Sequence, residues 1–126
     1  MIQAGGAGVL VDVGIGPRAL AHRLESVGSG WDRIASALLT HTHGDHIDNA
    51  TLHAMARRRV SLYCHEGHRA GLGGLSGFSA LEALALVRCY RDEPFLLPSW
   101  RDRGIGARPA RTAAISSSPL SACCRG

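Results

Sequence analysis

The densest group of reactive side chains in this sequence is Thr40-His41-Thr42-His43-Gly44-Asp45-His46, which sets three imidazoles and one carboxylate within six positions. Residues two apart in extended chain project to the same side, so His41 and His43 can both reach one cation at Zn–N distances of about 2.0 to 2.1 Å. Gly44 permits a sharp turn. Beyond it Asp45 and His46 can face a second cation, and two divalent ions about 3.5 to 4 Å apart would hold a hydroxide between them as nucleophile. Nitrogen and carboxylate donors suit Zn, Mn or Fe alike. With seven His and six Asp in 126 residues, a His-X-His-X-Asp-His pattern arises by chance in about one chain of this length in a thousand, which makes it a specific signal. The competing reading is a set of solvated or hydrogen-bonded loop histidines, the ordinary fate of a lone His.

Such a cluster needs strands that end at it. Val9-Leu10-Val11-Asp12-Val13 reads as a short buried strand that stops at Gly14-Ile15-Gly16-Pro17, a turn with freedom for positive φ. Pro17 suits the first position of a helix, Leu20, Leu24 and Val27 recur on one face, and Gly28 stands where a C-terminal cap is expected. Residues 34–40 read as a second strand running straight into the histidines. Leu52, Met55 and Ala56 keep helical spacing in a segment ending in Arg57-Arg58-Arg59, where cations favour a helix C-terminus. This reading makes the three arginines a solvated helix end rather than a phosphate contact. Residues 60–64 form a third strand candidate, GLGGLSG at 71–77 a flexible connection, 78–87 a helix, and 86–97 a region with a last strand. Alternating strands and helices imply an α/β layered domain over residues 1–97. From residue 98 onward Arg, Ala, Ser, Pro and Gly appear without a period of 2 or 3.6, so residues 98–126 are expected to be an irregular tail.

Hydrophobic residues make up 45% of the chain, and the 126 residues suffice for one domain with a core. No apolar run approaches the roughly 20 residues of a bilayer span. The N-terminus also lacks the positive flank and apolar core of a secretory signal, so a cytoplasmic protein is expected, with no membrane partner. Cys64, Cys89, Cys123 and Cys124 are irregularly spaced, and reduced thiols are the default. All 14 basic residues are arginine, against 10 acids, for a net charge of +4. Residues 1–102 hold every acid and ten of the arginines and are neutral; the last four arginines carry the whole excess. Net charge therefore gives no support to nucleic-acid binding by the part that holds the histidines.

The His-X-His-X-Asp-His run resembles the signature of the metallo-β-lactamase fold, and LVDVGIGP resembles that family's strand ending in Asp-X-Gly, with Asp12 and Gly14 at the matching positions. The resemblance implies the first part of a four-layer αββα sandwich, covering about residues 8–97, and metal-dependent hydrolysis by metal-activated hydroxide. It implies His41 and His43 as ligands of one divalent ion and Asp45 and His46 as ligands of the other, zinc foremost, with Mn or Fe as alternatives. Asp45, the only carboxylate of the set, is also the candidate catalytic residue. Asp12 would position the metal-binding loop without being a ligand. The family often has Gly three residues after the last His; Asn49 stands there, and Asn also enters left-handed conformations. VSLYCHEGHRAGL adds a likeness to the small bacterial YycJ-type hydrolases, which implies a phosphodiester substrate, nucleic acid or a smaller molecule.

The family completes its site with a later His, a bridging Asp and a final His, yet no histidine follows His68. His53, His65 and His68 lie too near the first motif to serve. The resemblance thus leaves two expectations: a working hydrolase, or a non-catalytic truncated remnant with an incomplete metal site and a tail derived from a frameshift. A separate zinc site in Cys64-His65-Glu66-Gly67-His68 is not expected, because His-Glu-Gly-His is one residue short of metalloprotease spacing. Residues 71–77 have neither a Lys nor the strand-loop-helix order of a P-loop.

Overall fold

The computed structural model describes residues 1–4, 6–97 and 114–115. Its strands are β1 (Ile2–Ala4), β2 (Ala7–Val11), β3 (Ile34–Leu39), β4 (Ser61–His65), β5 (Val87–Tyr90), β6 (Phe95–Leu96) and β7 (Ala114–Ile115). The helices are α1 (Pro17–Ser26), α2 (Asn49–Arg58), α3 (Arg69–Leu72) and α4 (Ser76–Ala83). The first five strands form one sheet in sequence order. β1 is antiparallel to β2, and the three later pairings are parallel, so α1, α2 and the α3–α4 pair serve as the crossovers that parallel strands require. The expected α/β layering is therefore present.

β3 is central, and all six of its residues are buried, as in a strand covered on both faces. On one face Leu10, Ala37, Leu39, Leu62 and Cys64 pack with Leu20 and Leu24 of α1, Leu52 and Met55 of α2, and Phe78 and Leu81 of α4. On the other, Leu38, Tyr63, Tyr90 and Leu97 form a smaller cluster with Val9 and Phe95. The Phe95 ring stacks on Tyr90 at 4.6 Å and on Tyr63 at 5.8 Å between centroids. β6 pairs antiparallel with β7, so two residues of the expected tail form a short strand. The other tail residues lie outside the described residues. Among the described residues no helix is long and apolar enough to cross a membrane.

Several boundaries differ from the sequence reading, each for a local reason. β2 ends at Val11, because Asp12 turns the chain at φ +59°, and Val13 makes an isolated parallel bridge to Ile47 instead. α1 ends two residues before Gly28, whose φ is +70° as a cap position requires. The unbroken apolar run 83–87 carries no periodicity to separate helix from strand; α4 stops at Ala83, and the chain turns at Ala85, at φ +56°. Asp92-Glu93-Pro94 divides the last strand region into β5 and β6. Arg58 is not simply solvated: its guanidinium lies 5.0 Å over the Trp31 ring.

The glycine-rich stretch is not a flexible connection. Gly77 is buried in the first turn of α4, where a Cβ would stand 2.6 Å from Leu52 Cβ and 2.7 Å from the Asn49 carbonyl oxygen. Asn49 is the first residue of α2 rather than a left-handed link, and its side chain brackets the two helices. Its Oδ1 accepts the Gly77 N–H at 2.8 Å and its Nδ2 donates to Ser76 Oγ at 3.1 Å. Asp48 caps α2 by accepting the Thr51 N–H at 2.7 Å. Gly77→Ala is expected to lower stability by about 1–3 kcal/mol, the usual range for overpacking. Thermal melts of the two proteins check this, and an unchanged midpoint would show that α2 and α4 do not meet so closely.

Candidate metal centre

β2 and β3 are parallel neighbours, so their C-terminal ends lie side by side and deliver Asp12 next to Thr40 and His41. The Asp12 N–H donates to the Leu38 carbonyl at 2.8 Å, which ties the turned residue to β3. Its φ of +59° is one that Asp tolerates better than most side chains. The carboxylate then accepts three groups. The Thr40 N–H reaches Oδ1 at 2.8 Å, the Thr40 hydroxyl lies 2.9 Å from Oδ1 and 2.7 Å from Oδ2, and His46 Nδ1 lies 2.9 Å from Oδ2.

These bonds fix the protons on two imidazoles. A carboxylate accepts only, so His46 must donate from Nδ1. The single Thr40 hydroxyl proton faces Asp12, and His41 Nδ1, 3.1 Å from Thr40 Oγ1, must therefore donate to that oxygen. In its neutral form each ring then carries its lone pair on Nε2, the arrangement that a hydrogen-bonding partner on the other nitrogen gives to metal-binding histidines. His46 Nε2 lies 3.5 Å from Asp45 Oδ2, so an imidazole nitrogen and a carboxylate oxygen converge.

The loop that carries these groups is held back to back with the end of β2. Val13 N–H donates to the His46 carbonyl at 2.9 Å, Asp48 N–H to the Val13 carbonyl at 3.0 Å, and Thr51 Oγ1 to the Ile15 carbonyl at 2.5 Å. Gly14 makes this approach possible, since a Cβ there would fall 1.9 Å from the Asp45 carbonyl oxygen. A close approach, not the positive φ anticipated for this turn, is what requires the glycine. Gly44 likewise has no left-handed φ; the turn closes through the His46 N–H on the His43 carbonyl at 2.9 Å.

His41 and His46 are half-buried, whereas His43 and Asp45 are exposed. The His41 ring centroid is 4.8 Å from that of His46 and 5.9 Å from that of His43. The four residues singled out by spacing are thus neighbours. Among the described residues, however, no three His, Cys, Asp or Glu side chains gather closely enough to hold a metal ion. Their chemistry fits a divalent metal, and two of the imidazoles already present the nitrogen it would need. Beside the cluster a cavity of about 630 Å³ opens, flanked by Asp12 and Asp45 and walled by Leu10, Ile15, Leu20 and Arg23. Thr40 was not singled out in the sequence; its only signal is a hydroxyl residue placed between a buried strand and the first histidine.

His53 and His65 are engaged elsewhere. His53 Nε2 bonds Ser76 Oγ at 2.9 Å in the contact between α2 and α4. His65 Nδ1 accepts the Gly67 N–H at 3.0 Å, and its ring packs edge-on against Tyr90. Cys64 belongs to the core on the helix-covered face, so it and His65 lie on opposite sides of the sheet and cannot share an ion.

A family model described as a beta-lactamase superfamily domain matches residues 8–119, which extends beyond the 8–97 covered by the sequence motifs. No curated protein and no solved structure matches the chain.

His46 has its pKa raised above the ordinary value of 6.5, chiefly by the hydrogen bond to Asp12, with the negative charges of Asp12 and Asp45 adding to it and desolvation opposing it. Because the folded-state pKa is the higher one, the stabilisation is complete below the unfolded value and is lost as pH rises through the folded value. Asp12→Asn is expected to move the titration of His46 back toward 6.5 and to remove that part of the pH dependence of the melting temperature. Ring-proton NMR across pH 5 to 9 checks the first effect; a His46 titration identical in both proteins would remove Asp12 as the cause.

Proposed function

The chain belongs to the beta-lactamase superfamily, and on that premise we propose that it is a metal-dependent hydrolase whose divalent ions are held by His41, His43, Asp45 and His46. The observation that carries this reading is the pair of hydrogen bonds, His46 to Asp12 and His41 to Thr40, which leave both Nε2 atoms available as donors. The five-stranded sheet with helices packed on one face is consistent with part of a metallo-β-lactamase fold. Zinc is the metal proposed first, since two-imidazole and carboxylate sets suit it, with Mn and Fe as alternatives.

Divalent ions in such a site supply positive charge that polarises an ester and makes water a nucleophile near neutral pH. The chain's own residues prepare for this. Asp12 keeps the proton on His46 Nδ1 and orients its ring, and Thr40 does the same for His41. Asp45, exposed and 3.5 Å from His46 Nε2, can bind an ion or accept a proton from the attacking water. The adjoining cavity of about 630 Å³ lies within the range of small-molecule sites. The proposed substrate is a phosphodiester, as a small molecule or within a nucleic acid; the neutral charge of residues 1–102 favours the former. The proposed setting is the cytoplasm.

A second reading rests on one observation: no three ligands converge among the described residues. It makes the chain a weak, non-catalytic metal binder. Purified protein loaded with Zn or Mn, dialysed and assayed for metal content separates the two, together with hydrolysis of bis(p-nitrophenyl) phosphate and of a single-stranded oligonucleotide. The hydrolase reading expects retained metal and chelator-sensitive turnover. It also expects metal affinity to fall about 10- to 100-fold in Asp12→Ala, as for other partners of metal-binding histidines. A chain that keeps no metal and shows no turnover establishes the second reading.

A further inference from the structure

We propose that Cys64 and Cys89 are a peroxide-reactive pair that closes into a reversible disulfide between β4 and β5, independently of the metal centre. The two residues are register partners on adjacent parallel strands. Neighbouring strands lie about 4.7–4.9 Å apart, inside the 4.4–6.8 Å range of Cα separations that disulfides span.

Both sulfurs face the same side of the sheet. Cys64 lies in the helix-side core, and Val87, two residues before Cys89 on β5, packs against that same core. Tyr63 and Tyr90, each adjacent in sequence to one of the cysteines, belong to the cluster on the opposite face. Arg69 of α3 confirms the side by donating from Nη1 to Cys89 Sγ at 3.9 Å, while Glu82 of α4 holds the same guanidinium at 2.6 Å.

The pair is asymmetric in a way that assigns roles. Both are thiols; Cys89 is exposed and Cys64 is fully buried. Cys89 therefore meets an oxidant first, with the Arg69 cation beside its sulfur. A peroxide transfers one oxygen to the Cys89 thiolate, giving the sulfenic acid and, from hydrogen peroxide, hydroxide. The Cys64 sulfur then attacks the Cys89 sulfur, the S–O bond breaks, and the thiol proton leaves with the hydroxyl group as water. Two electrons pass from the two sulfurs to the peroxide.

Reversibility follows from the ladder. Directly opposed Cβ atoms on parallel strands sit near the strand spacing, whereas a disulfide holds them at about 3.5–4.5 Å, so closure draws β4 and β5 together under strain. Strained, partly accessible disulfides are the readily reduced ones.

Cleavage after arginine separates the candidates, because Cys64 falls in residues 60–69, Cys89 in 89–91, and Cys123 with Cys124 in 112–125. The full chain, treated with stoichiometric hydrogen peroxide and mapped without reduction, is expected to yield the 60–69/89–91 cross-link as its main product. That peptide should weigh about 2 Da less than its parts and be released by dithiothreitol. Cys89→Ser, an exposed change that leaves the core intact, should abolish it; Cys64→Ala should leave Cys89 trapped as sulfenic acid by dimedone. Three results would each overturn the proposal: Cys89 advancing to sulfinic acid while Cys64 stays reduced, links mainly to 112–125, or equal yield of the cross-link from chain oxidised in denaturant.

Discussion

One carboxylate, that of Asp12, joins three parts of the chain that the sequence keeps up to 34 residues apart. It closes the end of β2 onto β3 through Thr40, and it seats the loop beyond β3 through His46. A half-buried carboxylate is tolerable only when its lone pairs are occupied, so these bonds are what allow Asp12 to sit there. The same bonds decide which nitrogen of each imidazole is free. Structure and chemistry are coupled through one group, and the left-handed backbone at Asp12 is what aims that group at its partners.

This constraint works because the surrounding scaffold has little room to relax. β3 is buried on both faces, Gly14 admits the Asp45 backbone where no other residue could, and Thr51 ties α2 to the turn after β2. α2 is in turn bracketed to α4 by Asn49. His43 and Asp45 enter this network through their backbones, and their side chains are the exposed ones of the cluster. Two imidazoles are thus set by the fold, while the side chains of His43 and Asp45 stay exposed.

The order of the core elements was legible because apolar runs and glycine or proline punctuation mark them directly: β3, α1 with Pro17, α2 with Leu52 and Met55. The cluster of His41, His43, Asp45 and His46 was legible by spacing, and Asp12 only through the resemblance of LVDVGIGP to the family's Asp-X-Gly strand end. What escaped the sequence depends on distance in space. Nothing local tells that Thr40 completes a proton arrangement with Asp12, 28 residues earlier, or that Gly77 is needed for contact with Leu52. Asn49 shows the same limit. The sequence argues its tolerance from backbone conformation, whereas its use lies in side-chain bonds to residues on another helix. Ala83 to Val87 lacked any periodicity, so the boundary there is set by packing alone.

The interaction that organises the cluster would also govern how protons and the proposed metal compete for it. Asp12 raises the affinity of His46 for a proton at Nε2 by stabilising the positive ring, and it raises the donor strength of the same nitrogen toward a cation. Both effects have one electrostatic origin, so they cannot be tuned separately by changing Asp12. Below the raised pKa the proposed metal would have to displace a proton from Nε2, and its apparent affinity would fall with each further unit of acidity. Above it the nitrogen is deprotonated, and the negative charge of Asp12 would work wholly in favour of the proposed cation. Asp45, 3.5 Å from that nitrogen, adds its charge in the same sense whichever positive species is bound. On the proposed metal-binding reading, the pH at which a proton would give way to a cation is therefore set by Asp12, one hydrogen bond removed from the ring they would compete for.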